Sequence, residues 1–411
     1  MALVFALSNF GQVTSYLSGH GSDFTTTRRS IFRLNSLLAL VGLMLAGTYF
    51  IAGNVEAGVL AVTIALSLPL VGDTDLLYAA AVRHKRTGIL ISSQVSAAAL
   101  KLAVGVGIAA ATGSVLALAA ANITYFLVIE LALGRTIARV AREAEPRHES
   151  TAPMRHKFSW AVNSYFMTLP VQSIFFVAQF FAEPEVLGVF FLAYQATLAI
   201  SSVLAGPLSQ VALNSFASAK DASRYNVLSW LAAFFGSCLL GAAAVAGLLL
   251  PLLESVVASE WKVALPVAVI LMASLPLRIA SPLLDAFQQA ENKWWQSTSF
   301  NALDTGLTVL AALSAISGSA LVMAIALSCS KLIIGTIRAM IVLRDARLAI
   351  RIWFVLPPIA GSILVMAGVV VGSVGGAVLL ASAVAVAVAW ATSSVLAQRR
   401  AARVLTLRGS A

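Results

Sequence analysis

The sequence predicts an all-α, polytopic membrane protein of about 13 transmembrane helices, built as two parallel-repeat helical bundles around a central cavity. Three observations carry that prediction. Thirteen apolar stretches follow one another from Met1 to about residue 397 of 411, each near the ~20 residues an α-helix needs to cross the hydrocarbon core. Basic residues collect in every second connection between those stretches. A sequence pattern in the first half recurs in the second at a shift of 207 residues.

The spans run 1–18, 34–52, 57–79, 89–111, 114–134, 158–181, 186–216, 225–253, 262–288, 295–317, 320–343, 351–371 and 375–397. The first opens at Met1 with no basic segment or cleavage site, so it reads as a membrane segment and not as a removable signal. Short acidic or neutral turns close one face: Asn54-Val55-Glu56, Thr112-Gly113-Ser114, Glu183-Pro184-Glu185 and Ser317-Gly318-Ser319. The other face carries Arg28, Arg29 and Arg33, then Arg83, Lys85 and Arg86, then six cations from Arg135 to Lys157. Lys220 and Arg224, Lys293, Arg344, Arg347 and Arg351, and the tail cations Arg399, Arg400, Arg403 and Arg408 continue that series. Of 27 Lys and Arg residues, 22 lie on this basic face and one, Lys262, on the other, which sets the basic loops and the C-terminal tail in the cytoplasm. Four cations, Lys101, Arg278, Lys331 and Arg338, fall inside spans. Each costs about 2.5–3.5 kcal/mol at a helix centre, so an intramembrane cation needs a reason.

Composition excludes other classes. At 60% hydrophobic and 11% charged residues, with mean hydropathy +0.92, the chain is no soluble globular domain. The net charge of +10 follows from basic loops against anionic headgroups, so the lipid bilayer is the expected partner and nucleic acid is not. Cys238 and Cys329 lie far apart in apolar stretches, and neither a disulfide nor a metal site is expected. His20, His84, His148 and His156 stand beside Arg or Lys in loops and read as solvated surface. No cofactor and no catalytic residue are assigned. Asn122-Ile123-Thr124 has the form of a glycosylation acceptor but lies within a span.

The repeat pairs Ser67-Leu-Pro-Leu-x5-Leu-Leu-x-Ala79 with Ser274-Leu-Pro-Leu-x5-Leu-Leu-x-Ala286. Both copies end a span at a basic loop, and the turns Thr112-Gly113-Ser114 and Ser317-Gly318-Ser319 match on the opposite face. Six spans separate the copies, so both halves keep one orientation, as in transporters built from parallel repeats. The organisation expected is an N-terminal bundle at 1–142, a basic linker at 143–157, a C-terminal bundle at 158–345, and two extra helices with a basic tail at 346–411. Span 158–181 has no partner in the first half, which points to a missing first helix there and to 14 helices as the full set.

Several segments of the second half carry a family likeness. They are Leu187-Gly188-Val189-Phe190 leading into Ala193-Tyr194-Gln195, Gly206-Pro207-Leu208-Ser209-Gln210, Trp261-Lys262 with Ala264 and Pro266, Leu275-Pro276-Leu277-Arg278, and Glu291-Asn292-Lys293. The chain resembles the polysaccharide (O-antigen-type) flippases of the multidrug/oligosaccharidyl-lipid/polysaccharide exporter superfamily, most densely over 158–345. The family usually has twelve or fourteen helices, so thirteen is a departure. The resemblance implies a bacterial cytoplasmic-membrane protein that moves a polyprenyl-diphosphate-linked oligosaccharide to the outer leaflet, with the polysaccharide polymerase machinery as a further partner. It implies a transporter and not an enzyme. The alternatives are a multidrug cation exporter of the same superfamily, a lipid II-type flippase, a membrane-embedded polymerase or glycosyltransferase, and a non-transporting remnant. The short external turns disfavour the enzyme.

Carrying a diphosphate and a glycan across the bilayer calls for cations and hydrogen-bonding side chains on a water-filled face. Arg278, Lys331 and Lys101 are the candidate phosphate ligands, Arg for bidentate contact and Lys as a point charge. Gln195, Ser202 and Ser209 recur every seven residues on one span, and Gln172 and Gln179 do so on the preceding one, as candidates for sugar hydroxyls. Ser8, Gln12 and Ser15 form a similar stripe on the first span. Small polar stripes also serve plain helix packing. Asp304 and Asp285 are candidates for coupling or gating, with Arg83 and Arg86 drawing the anionic headgroup to the cytoplasmic mouth. The competing structural reading pairs Asp304 with Lys331 across a hairpin. Arg338, about a turn and a half from the basic face, is expected to snorkel to the headgroups.

Overall fold

The computed structural model describes residues 12–17, 23–112, 116–144, 154–218, 221–256, 259, 262–291, 293–346 and 348–409. Among them every regular element is helical and no strand occurs. The helices are α1 (Gln12–Leu17), α2 (Phe24–Ile51), α3 (Val55–Arg83), α4 (Thr87–Thr112), α5 (Leu116–Ala144), α6 (Met154–Ala178), α7 (Pro184–Ser218) and α8 (Asp221–Leu248). There follow α9 (Leu250–Val256), α10 (Ala264–Ala273), α11 (Leu275–Ala290), α12 (Trp294–Ala312), α13 (Ala320–Val342), α14 (Leu348–Val371) and α15 (Ser373–Gly409). Each span read from the sequence falls on one helix or on two consecutive helices, the first only over its described part. Eight helices among the described residues are long and apolar enough to cross a membrane, or nine if α10 and α11 count as one bent span. The protein is therefore an all-helical, multi-pass membrane protein.

One boundary differs from expectation. Helix α2 begins at Phe24, so Arg28, Arg29 and Arg33 stand on its first turns and not in a connection. Their long stems let the charged heads lie at the membrane surface or against partners while the backbone stays helical.

The chain divides into two compact units, Met1–Thr168 and Leu169–Ala411, with the division inside α6. In the first unit α3 packs on α2, α4 and α5. The α2–α3 hairpin closes on Gly53 at φ +78°, where Gly53 N–H donates to Phe50 O (3.0 Å) and Asn54 N–H to Tyr49 O (2.9 Å). This double bond satisfies the last carbonyls of α2, and the Asn54 side chain then caps α3 by accepting from Ala57 N–H at 3.1 Å. A Cβ at Gly72 would stand 2.1 Å from Asn35 Nδ2, so glycine there leaves the Asn35 side chain of α2 its place against α3. The α3–α4 turn repeats the α2 ending with a less suitable residue. Lys85 takes φ +57° while Lys85 N–H bonds Val82 O and Arg86 N–H bonds Ala81 O.

In the second unit α11 packs on α7, α8 and α13, and α10 on α7, α8, α13 and α14. The α10–α11 junction bends by 42°. Pro276 has no N–H to offer the Met272 carbonyl, and its ring crowds the preceding turn, which gives the bend a cause. Ser274 Oγ donates back to Leu271 O at 2.8 Å; its repeat mate Ser67 donates to Ile64 O at 2.8 Å inside unbroken α3. Helices α14 and α15 pack on each other and on α8. Ser362 Oγ of α14 donates to Ala273 O at 2.5 Å. The Gly368-x3-Gly372-x3-Gly376 series makes the turn at Gly372 (φ +58°) and lets two backbones meet, since a Cβ at Gly376 would lie 2.4 Å from Gly368 O.

Candidate functional site

Charged side chains within the helices of each unit fall into clusters, and their balance differs. In the second unit Lys331 on α13 is 6% exposed. Its Nζ donates to Asp304 Oδ1 at 2.6 Å and to Thr308 Oγ1 at 2.8 Å, both on α12. Asp304 and Thr308 are one helical turn apart, so one face of α12 presents a carboxylate and a hydroxyl together. Arg278 on α11 lies close enough to act electrostatically on Lys331. Its Nη2 donates to the Tyr194 hydroxyl of α7 at 3.3 Å, and its guanidinium stands over the Tyr194 ring at 5.1 Å. Tyr194 is itself buried, stacked on Phe190 and edge-on to Phe175, and senses the Asp304 charge. Two cations, one carboxylate and two hydroxyls thus converge from four helices.

A second centre in this unit is closed. Arg338 is 2% exposed and forms a charge-assisted pair with Asp285, itself 3% exposed. Arg338 also donates to Gln288 Oε1 at 2.7 Å and to Asn301 Oδ1 at 3.1 Å, and faces the Phe300 ring at 5.5 Å. Ser297 Oγ donates to the same Asp285 carboxylate. The expectation that Arg338 snorkels is therefore corrected: α11 and α12 supply a full set of acceptors, and pairing outcompetes the reach to the headgroups. Asp285 shares a helix face with Arg278 in sequence, yet it is taken up by Arg338.

In the first unit Arg28 on α2 bridges two carboxylates. Its Nε donates to Asp73 Oδ1 of α3 at 2.6 Å, its Nη2 pairs with Asp73 Oδ2, and the same Nη2 donates to Glu130 Oε1 of α5 at 2.8 Å. A cavity of about 420 Å³ opens beside them, walled by Phe32, Pro69 and Leu70 and edged by Arg29. Further along α3 the Tyr78 hydroxyl meets that of Tyr125 at 3.0 Å, and Lys101 stands over the Tyr125 ring at 5.6 Å.

Of the residues singled out from sequence, Arg278, Lys331 and Asp304 come together. Lys101 belongs to the first unit and contacts the Tyr125 ring, with its side chain exposed. Gln179 and Gln195 are exposed, while Gln172 and Ser209 are half-buried. The side chain of Ser202 lies outside the described residues, as do Ser8 and the Ser15 side chain. The buried face of α7 carries Tyr194, Thr197 and Ser201, offset from the predicted stripe, and both Thr197 and Ser201 turn back onto their own helix. Arg83 Nη1 donates to Tyr16 O at 2.8 Å and covers the Tyr16 ring at 4.6 Å, whereas Arg86 is exposed. Tyr194 and Arg28 enter the sequence analysis only in a family likeness and on the basic face, and Thr308 does not enter it. Thr308 follows Asp304 by one turn, so helical spacing from a buried charge was the signal available for it. No group of residues fit to hold a metal ion occurs among the described residues.

The helix arrangement and the charges held inside it define a multi-pass membrane protein. The solved structure "Lipid II flippase MurJ, inward closed conformation" matches it with a TM-score of 0.56 over 96% of this chain and 89% of that one, at 12% sequence identity. At that identity the likeness is one of fold. No family model matches the sequence, and no curated protein does.

Proposed function

We propose that this chain is a flippase that moves a polyprenyl-diphosphate-linked oligosaccharide from the inner to the outer leaflet by alternating access, for synthesis of O-antigen, capsule or exopolysaccharide. The observation that carries the reading is the unbalanced cluster on α7, α11, α12 and α13, where among the described residues two cations, Arg278 and Lys331, stand with one carboxylate, Asp304, which pairs with Lys331. Net positive charge inside a membrane protein is expensive unless an anion answers it, and a diphosphate does so. Arg278 suits a bidentate grip and Lys331 a point-charge contact, and the Tyr194 hydroxyl, which accepts from Arg278, keeps its own proton to donate. Asp304 holds Lys331 while no phosphate is present and releases it when one arrives, which makes Asp304 the gate. Lys101, Gln172, Gln179, Gln195, Ser202 and Ser209 are candidate contacts for the rest of the substrate, and exposed Arg86 is a candidate headgroup attractant. On this reading the chain is a transporter of the bacterial cytoplasmic membrane with its C-terminus on the cytoplasmic side, and 1–142 and 158–345 are the moving bundles, joined by 143–157 and flanked by 346–411.

The test is reconstitution into liposomes, scoring protection of a fluorescent polyprenyl-diphosphate oligosaccharide from an external glycan-modifying reagent. Arg278→Ala with Lys331→Ala should abolish protection while the protein stays folded by circular dichroism. Unchanged flipping in that double variant would sink the phosphate role. The solved neighbour's name favours a second reading, a lipid II-type substrate. Competition decides it: unlabelled lipid II that halves flipping of the probe at equal concentration makes the cell-wall precursor the better substrate.

A further inference from the structure

The charge balance around Arg28 is the reverse of that around Arg278. One guanidinium serves Asp73 and Glu130, which come from different helices. Glu130 lies close enough to Asp73 for the two carboxyls to interact directly. Glu130 Oε1 accepts from Arg28, while Glu130 Oε2 is buried and has no hydrogen-bond partner among the described residues. An ionised carboxylate oxygen left bare in this way loses its solvation and gains nothing in return. The groups around it complete the account. Helix α2 contributes Arg28 and, on the cavity edge, exposed Arg29; α3 contributes Asp73. The charged residue of α4, Lys101, is engaged with the Tyr125 ring, and Tyr78 with the Tyr125 hydroxyl. Asp75 of α3 acts on Tyr78, and among the described residues the cations named beside the two carboxylates are Arg28 and, at the rim, Arg29.

We propose that the Asp73–Arg28–Glu130 cluster binds one exchangeable proton, carried on Glu130 Oε2. The adjoining cavity of about 420 Å³ supplies the route, since it is many times the ~30 Å³ share of a water molecule. Glu130 turns its buried Oε2 toward the cavity, a hydronium ion there gives up one O–H bond as the new O–H bond forms, and the reverse transfer to water releases the proton. When it binds, Glu130 becomes neutral and its claim on Arg28 weakens, so the link from α5 to α2 loosens while the Arg28–Asp73 pair remains. Proton occupancy is thereby coupled to the packing of α2 against α5. That this drives transport rests on the flippase reading above; the binding site itself does not.

The experiment needs no transported lipid. The full chain in lipid nanodiscs is titrated with pH and followed by infrared difference spectroscopy. A carboxylic-acid carbonyl band should grow as pH falls, vanish in Glu130→Gln and persist in Glu130→Asp. Asp73→Asn, which leaves one guanidinium to one carboxylate, should also remove it. A band that survives in Glu130→Gln, or no titrating band in the native chain, overturns the proposal. So does a band erased by sodium at constant ionic strength, which would make the occupant a metal cation. Flipping that fails in the native chain while the band behaves as expected would instead count against the flippase reading alone.

Discussion

In the first unit one guanidinium, Arg28, serves two carboxylates; in the second, Asp304 pairs with Lys331 while a second cation, Arg278, stands near Lys331 on the Tyr194 hydroxyl. The two clusters do not occupy equivalent places in the repeat. At the shift of 207 residues Asp73 falls on Ala280, and Arg278 on Val71. What the halves keep in common is polar but uncharged in the first and charged in the second. Tyr78 and Gln94, which hydrogen-bond, correspond to Asp285 and Asn301, which also do. One helix arrangement thus carries opposite charge balances because the charges sit at positions the repeat does not dictate.

Breaking the closed centre should have the largest effect. Arg338→Ala leaves Asp285 buried and unpaired and is expected to destabilise the second unit by about 3–5 kcal/mol. Chemical unfolding in detergent measures it, and Arg338→Ala with Asp285→Ala should lose less than the single change. Arg28→Ala should cost the first unit about 1.5–3 kcal/mol, the range for a hydrogen-bonded charge. Arg28 is more exposed than Arg338, which keeps the loss smaller. Since the variant leaves two carboxylates side by side, the loss should shrink as pH falls and one of them takes a proton; a loss that grows instead contradicts the account of that cluster.

A third change contrasts the paired prolines. Pro276→Ala restores an N–H to the Met272 carbonyl and should reduce the 42° bend, read as a longer spin-label distance across the α10–α11 junction. Pro69→Ala, within unbroken α3, should leave the corresponding distance unchanged. The smallest effect is at Lys85, where φ is +57°. A side chain there costs about 1–2 kcal/mol, so Lys85→Gly should stabilise the first unit by about 1 kcal/mol, seen as a raised Tm.

The helices were legible in the sequence because spans announce themselves by length and apolar run, and the basic loops mark their ends. Helix α2 shows the limit: its arginines look like a loop by composition, yet they continue the helix. The pairing of Lys331 with Asp304 was also within reach, since both lie on one hairpin at similar depth. Arg338 was misjudged for a physical reason. Its distance from the helix end is a property of α13 alone, whereas its fate was decided by Asp285, Gln288 and Asn301 on two other helices. Likewise Arg28 meets a carboxylate 102 residues away, which no local periodicity encodes.

The Arg83 contact bears on how the protein is made. The guanidinium that donates to the Tyr16 carbonyl and covers the Tyr16 ring is 67 residues further along the chain. At about 5–20 residues per second it reaches the membrane roughly 3–13 s after Tyr16 does. During that interval the end of α1 has the nearby Phe24 ring but not the Arg83 contact, which comes only with α3.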